Sequence, residues 1–70
     1  MRSPRISIYT YGIRSKIKEF CVNHNAEFKT IKILGVGAQG EEIKVKIYLP
    51  KECFDDAVKE FRSNLFCVEN

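Results

Sequence analysis

Two stretches of this sequence alternate aliphatic residues with residues that could contact a nucleic acid. They are residues 6–11 and residues 43–49. Successive side chains of a β-strand point to opposite faces, so a sheet containing both stretches would gather the non-aliphatic residues on one face. Aromatic rings there could stack on bases, and ammonium groups could contact phosphates. The residues concerned are Tyr9, Tyr11, Lys44, Lys46 and Tyr48.

The first strand and the first helix that would position these residues follow from periodicity. A strand is predicted over about Arg5 to Tyr11, and Gly12 then allows the backbone to turn. The next segment has the spacing of one apolar helical stripe, and its end is predicted at residues 23–25, where Asn tolerates the left-handed conformation. The stripe consists of Ile13, Ile17, Phe20, Cys21 and His24.

A hairpin is predicted in the middle of the chain. Its first strand runs from about Ala26 to Leu34, and Phe28 is out of phase with the later isoleucines, which indicates a bulge. Residues 35–40 are glycine-rich and are predicted to form a flexible hairpin loop. The third strand runs from about Glu42 to Leu49.

A second helix and a short final strand complete the prediction. Pro50 lacks the N–H that a strand ladder needs and suits the first turn of a helix. Acidic residues at 52, 55 and 56 would favour the helix N-terminus electrostatically. Residues 66–68 are predicted as a short fourth strand, with a tail packed on the core as the alternative. The apolar stripe of the second helix consists of Phe54, Ala57, Val58, Phe61 and Leu65.

The resulting order, βαββα(β), resembles the ferredoxin-like split β-α-β architecture along the whole chain. That architecture is an α+β sandwich with two helices packed on one face of an antiparallel sheet. The resemblance implies that the first and third strands are central neighbours, with their aliphatic side chains beneath the helices. The exposed face would carry Ser7, Tyr9, Tyr11, Lys44, Lys46 and Tyr48, with Thr30 and Lys32 beside them if the second strand keeps its phase.

Proteins with the RNA-recognition-motif form of this architecture bind single strands on the same face, using aromatic residues of the same two strands. The third strand here, residues 41–48, lacks the Gly- and aromatic-rich signature of that family, so the resemblance ends at the architecture. Two alternative roles for the face stay open. It could be a solvated sheet surface in which lysines oppose aggregation, or it could be covered by another subunit.

A second candidate site lies where the first strand meets the first helix. Arg14, Lys16 and Lys18 place positive charge near the helix N-terminus, where it opposes the helix dipole. Free backbone N–H groups at that position suit a phosphate or a carboxylate, and residues 35–40 would emerge at the same edge of the sheet. The candidate anion-binding residues are Gly12, Arg14, Ser15, Lys16, Gly35, Gly37 and Gly40.

The residue types give little support to catalysis or metal binding. The three cysteines are odd in number, with no short paired spacing, and His24 is the sole histidine. Cys21 and His24 would both face the core, whereas a Cys–His nucleophile must be exposed. Asp55 and Asp56 would diverge by about 100° around a helix and cannot share a proton. We therefore expect no enzymatic activity, no metal and no cofactor.

Composition allows one domain over residues 1–70, with residues 1–4 as a short basic arm. A hydrophobic content of 44% indicates a folded chain, and a net charge of +3 permits nucleic acid, an acidic protein or an anionic ligand without selecting among them. The arm is followed by alternation, not by the apolar core of a signal peptide, and no apolar run could cross a membrane. The cytoplasm is the expected location, and the cysteines are expected to be free there.

These features together predict a small basic, non-enzymatic module that binds single-stranded nucleic acid, RNA in preference. Two alternatives stay open: a protein-interaction or inhibitory module that uses the same face or an edge strand, and a regulatory, homodimeric domain that binds a small anion at residues 12–16 and 35–40. The candidate nucleic-acid-binding residues are Tyr9, Tyr11, Lys32, Lys44, Lys46 and Tyr48.

Overall fold

A computed structural model of the protein describes residues 4–69, so most of the predicted arm at residues 1–4 lies outside the described residues. The carbonyl of Pro4, at the end of that arm, accepts a hydrogen bond of 2.9 Å from the backbone N–H of Lys51. Short 3₁₀ turns precede and follow the second helix. The elements are β1 (Arg5–Ile13), α1 (Arg14–Asn23), β2 (Glu27–Gly37), β3 (Gly40–Pro50), a 3₁₀ turn (Lys51–Cys53), α2 (Phe54–Phe61), a 3₁₀ turn (Arg62–Asn64) and β4 (Cys67–Glu69).

The four strands form one antiparallel sheet in the order β2-β3-β1-β4. The protein is a small α+β domain, and the predicted fourth strand is confirmed. β1 pairs with β3 along its whole length, from Arg5 opposite Pro50 to Ile13 opposite Glu42. These two strands occupy the centre of the sheet and fix the faces of most of its side chains.

Aliphatic side chains of the central strands form the core beneath both helices. We call this side of the sheet the inner face and the opposite side the outer face. The predicted aliphatic residues of β1 and β3 are all buried, as are three residues of α1 and two of α2. Both helices therefore pack on the inner face. The core contains Ile6, Ile8, Ile17, Phe20, Cys21, Ile43, Val45, Ile47, Leu49, Ala57 and Phe61.

The end of α1 and the start of α2 each follow a signal in the sequence. After α1, Asn25 adopts a left-handed conformation with φ of 51°, as predicted for this segment. The His24 ring packs on Phe20 with 4.1 Å between ring centroids, and His24 Nδ1 lies 2.9 Å from the Phe20 carbonyl oxygen. Asp55 and Asp56 lie in the first turn of α2, where the helix dipole favours negative charge.

Two residues of the predicted α2 stripe, Val58 and Leu65, were placed wrongly. Val58 is 40% exposed, whereas Ala57 and Phe61 are buried. Residues four apart share a helix face, and α2 directs the face of Ala57 and Phe61 to the sheet, so the adjacent Val58 points about 100° away. Leu65 lies beyond the end of α2 and packs against the core from the chain that follows the 3₁₀ turn.

The predicted turn at Gly12 is wrong, and the hairpin predicted at residues 35–40 is confirmed with a shorter loop than expected. Gly12 lies within β1, opposite Ile43, and β2 extends to Gly37. The hairpin turn consists of Ala38 and Gln39 alone. Gly35 and Gly37 remain in β2 because strand pairing with β3 uses backbone groups, which glycine has like any other residue. The predicted bulge is confirmed, with register shifts between Thr30 and Lys32 and again before Gly35.

We predict that Phe61→Ala lowers the free energy of unfolding by about 3–5 kcal/mol, because the change removes a buried aromatic ring from the core. The Phe61 ring is 8% exposed and meets Phe20 edge to face, with centroids 5.1 Å apart. Urea unfolding followed by circular dichroism measures the loss. Val58→Ala on the same helix is the control and should cost less than about 1 kcal/mol. Equal losses for the two variants would contradict this packing of α2.

Candidate nucleic-acid interface

The outer face brings together the tyrosines and lysines of the two central strands. Residues directly opposite each other in an antiparallel pair share a face. Tyr9 lies opposite Lys46, and Tyr11 lies opposite Lys44. Tyr48 lies opposite Ser7 on the same face. The prediction that these side chains share one face is therefore confirmed.

The second strand adds two lysines to this face, one of which was not predicted from the sequence. Lys32 lies opposite Lys44, which puts it on the outer face as predicted. Lys29 lies opposite Lys46, and Thr30 lies opposite the buried Val45. Thr30 is therefore on the inner side, because β2 does not keep the phase on which its predicted place on the outer face depended. The bulge after Thr30 reverses the alternation, which puts Lys29 and Lys32 on the same face although their spacing is three.

Phe66, which precedes β4, adds a fourth ring that was not predicted on this face. Its centroid lies 6.0 Å from that of Tyr9 and 6.4 Å from that of Tyr11. Phe66 is 47% exposed, against 36% for Tyr11 and 37% for Tyr48. We define the aromatic–lysine face as these rings with the surrounding lysines. It consists of Tyr9, Tyr11, Lys29, Lys32, Lys44, Lys46, Tyr48 and Phe66.

The residues of the aromatic–lysine face form rows that run across the sheet. One row contains Lys29, Lys46 and Tyr9, and the next contains Lys32, Lys44 and Tyr11. In both rows the lysines lie on β2 and β3, whereas the tyrosine lies on β1. A track of positive charge therefore runs beside a track of aromatic rings, and both follow the strand direction.

An acidic residue lies at one end of the outer face. Glu27 of β2 lies opposite Tyr48. This end row flanks the row of Tyr9 and Lys46. The charge on the outer face is consequently asymmetric along the strands, with the positive side chains in the middle of the face.

Lysine ammonium groups lie directly over the rings. Lys44 Nζ is 4.7 Å from the Phe66 centroid, and Lys46 Nζ is 5.4 Å from the Tyr9 centroid and 5.1 Å from that of Tyr48. These are cation–π distances. Hydrogen bonding with Tyr9 and with Tyr48 raises the pKa of Lys46 above its ordinary value, so this group stays charged at neutral pH. The Tyr9 and Tyr48 rings thus lie beside a positive charge at neutral pH.

Thr10 fixes the chain segment that delivers Phe66 to the outer face. Thr10 is fully buried, and its hydroxyl donates a 3.0 Å hydrogen bond to the carbonyl of Asn64. Two residues later, the Phe66 N–H donates a 3.0 Å hydrogen bond to the Tyr9 carbonyl. The chain is thus tied to β1 on both sides of the point where it passes from the helices to the edge of the sheet.

The candidate anion site is only partly assembled. Arg14, Ser15 and Gly40 line one surface hollow between the start of α1 and the hairpin, together with Lys18 and not Lys16. Lys16 lies elsewhere, on a hollow with Glu19, Asn23, His24 and Glu60. Gly35 and Gly37 line a third hollow, beside the hairpin turn, and Gly12 lies within β1.

The positive charge at this hollow is partly neutralised from within the chain. Arg14 forms an ion pair of 3.5 Å with Glu41 of β3. This contact accounts for the arginine at the start of α1, which the helix dipole disfavours, because the hairpin supplies a compensating carboxylate. Arg14 therefore has an internal partner and does not require an external anion.

The surroundings of Cys21 and Cys53 make both thiols poorly reactive. Burial raises the pKa of the Cys21 thiol to about 11, and burial followed by the nearby carboxylates of Glu52 and Asp56 raises the pKa of Cys53. Both thiols are therefore protonated and poorly nucleophilic at neutral pH. Within residues 4–69, no group of three or more His, Cys, Asp or Glu side chains could hold a metal ion, and no helix is long and apolar enough to cross a membrane.

Comparison with known proteins finds no matching family model, no matching curated protein and no matching solved structure. Function is therefore inferred from the chemistry of the aromatic–lysine face.

We predict that Thr10→Val lowers the free energy of unfolding by about 1–3 kcal/mol, because the Asn64 carbonyl loses its hydroxyl donor in a partly buried position. Thr10→Ser is the matched control: it keeps the donor and should cost less. Urea unfolding of the three proteins gives the comparison. If Val and Ser variants were equally stable, the hydroxyl would not anchor this segment.

Proposed function

We propose that the protein is a small, non-enzymatic module that binds single-stranded nucleic acid, RNA in preference, on its aromatic–lysine face. One observation carries the proposal: a track of rings on β1 lies beside a track of lysines on β2 and β3. Single-stranded nucleic acid has the same two components, because its bases offer flat apolar surfaces and its phosphates carry negative charge. A strand bound along the sheet would place bases over Tyr9 and Tyr11 and phosphates over the lysines.

The spacing of the rows favours an extended strand. Tyr9 and Tyr11 are two residues apart, and their rows are therefore separated by about 6.8 Å along the strand. Stacked bases in a duplex rise by about 3.4 Å. Bases on the two tyrosines would have to be unstacked from each other, which a single strand permits and a duplex resists.

The cation–π contacts indicate how the face would accept a strand. Lys44 and Lys46 lie over rings that a base would cover. A stacked base would displace each ammonium group from its ring, and the flexible lysine side chain would reach a phosphate instead. The same side chain thus shields the ring from water before binding and neutralises the ligand afterwards.

We further propose that the fold has the ferredoxin-like topology. Its support is the strand order, with β1 and β3 at the centre of an antiparallel sheet and both helices on the inner face. That arrangement leaves the outer face open to a ligand. We also propose a cytoplasmic location, which is supported by the free Cys21, Cys53 and Cys67.

The first prediction from this proposal is electrostatic. The logarithm of the affinity for a single-stranded oligonucleotide should fall linearly with the logarithm of salt concentration, by about 0.7 per neutralised phosphate. Lys44→Gln should make the slope shallower by about 0.7, because one phosphate contact is lost. Fluorescence anisotropy at several salt concentrations measures the slope.

Lys59→Gln is the control for this measurement, because Lys59 is exposed on α2, on the opposite side of the sheet. It should leave the slope unchanged. A complex that does not respond to salt, or no complex at low salt, would refute the proposed function.

The second prediction separates ring stacking from hydroxyl contacts. Replacing Tyr9 or Tyr48 by Phe keeps the ring, whereas replacement by Leu keeps only apolar bulk. Each lost ring should weaken oligonucleotide binding by about 1–3 kcal/mol, and the Phe variants should bind like the parent. Phe66→Leu should also weaken binding.

A protein-interaction module would respond differently to the same variants. Tyrosines buried at a protein interface commonly use their hydroxyls, so Phe would leave partner groups unpaired. Equal oligonucleotide affinity of the parent, Phe and Leu proteins would show that the aromatic–lysine face is a solvated sheet surface.

A further inference from the structure

The strand at one edge of the sheet exposes apolar side chains along much of its length. β2 has 11 residues and pairs only with β3 among the described strands. Several apolar side chains of β2 are exposed, and an exposed apolar edge strand is prone to associate with another strand. The exposed fractions are 49% for Ile31, 57% for Ile33, 43% for Leu34 and 78% for Val36.

The sequence of β2 has few of the features that keep an edge strand unpaired. Proteins commonly protect such edges with charges, with proline or by making the strand short. β4, at the other edge, has three residues. Residues 33–37 of β2 contain neither a charge nor a proline. Another chain could therefore contact both the outward backbone N–H and C=O groups and the apolar side chains of these residues.

The helices leave this part of β2 uncovered. Phe28, near the start of β2, packs against the core, whereas Ile33 and Val36 are mostly exposed. Ile33 lies opposite the buried Ile43, so it belongs to the inner face that the helices cover elsewhere. The molecule is correspondingly elongated, at 42 × 21 × 20 Å.

We propose that two copies of the chain pair through β2, antiparallel and about a two-fold axis near Ile33, to form one continuous sheet. Under this symmetry the charged first half of each β2 lies beside the uncharged second half of the other. Lys29 and Lys32 then face residues 34–37 of the partner copy, so like charges are not opposed. An axis between Lys29 and Lys32 would oppose them directly.

In this arrangement the second copy covers the half of β2 whose apolar side chains are exposed in the single chain. The uncovered end of one β2 lies beside the start of the other, where Phe28 packs against the core and lines a hollow with residues of α1. A second copy therefore offers apolar cover at the place where its own helix layer begins. The contact is self-complementary, so it closes after two copies instead of propagating.

Sedimentation equilibrium with surface variants tests the dimer. Val36→Lys and Ile33→Lys should each raise the dimer dissociation constant by about tenfold or more, because each places a charge in an apolar strand pairing. Both positions are exposed in the single chain, so folding should survive. Val22→Lys is the matched control: Val22 lies on α1 and is 73% exposed, and its change should leave dimerisation intact.

Disulfide trapping tests the position of the axis. Residues facing themselves across an antiparallel pair have Cα atoms about 4.5–5.5 Å apart, within the range of a disulfide. In a Cys67→Ser background, oxidation of Ile33→Cys should give a covalent dimer, and Val22→Cys should not. A monomeric parent at all concentrations, an open-ended polymer, or a dimer that persists in both lysine variants would overturn the proposal. A monomer that instead pairs with unrelated extended peptides would also do so.

Discussion

The antiparallel pairing of β1 with β3 is the constraint on which the rest of the structure depends. Both strands alternate with a period of two, and a slip of one residue would move every side chain of one strand to the other face. The register that buries Ile8 against Ile47 also puts Tyr9 beside Lys46 on the outer face. Burial of the aliphatic residues thus determines the composition of the aromatic–lysine face. Core stability and ligand chemistry are two results of one register.

The alternation of β1 and β3 made most of the core and most of the outer face predictable from sequence. Alternation could not show where β2 slips, because the position of a bulge depends on pairing with the neighbouring strand, and Lys29 was missed for that reason. Glycines at 35 and 37 read as a loop, whereas pairing with β3 keeps them in a strand. Phe66 was missed because its place depends on the Thr10 contact with Asn64, which joins distant parts of the chain.

The lysines have two effects on the outer face. An antiparallel sheet with one exposed face needs polar groups there to avoid aggregation. Uncovered aromatic rings on that face would instead promote association. Lys44 and Lys46 reduce this tendency because their ammonium groups lie over the rings of Phe66, Tyr9 and Tyr48. Residues 33–37 of the β2 edge have no comparable protection. The two surfaces of the sheet therefore differ in kind: one is charged and ring-bearing, and the other is an apolar edge with open backbone groups.

The distant pairing of β4 with β1 has a consequence for the order of folding. The β2–β3 hairpin closes through a two-residue turn, whereas β4 must return from the far end of the chain to reach β1. Contacts between distant segments carry a larger loop-closure entropy and form more slowly. Phe66 precedes β4 directly, so its ring joins Tyr9 and Tyr11 only when that last strand docks. The lysine track of the β2–β3 hairpin can therefore form before Phe66 completes the ring track, and the docking of β4 is the step that joins the two.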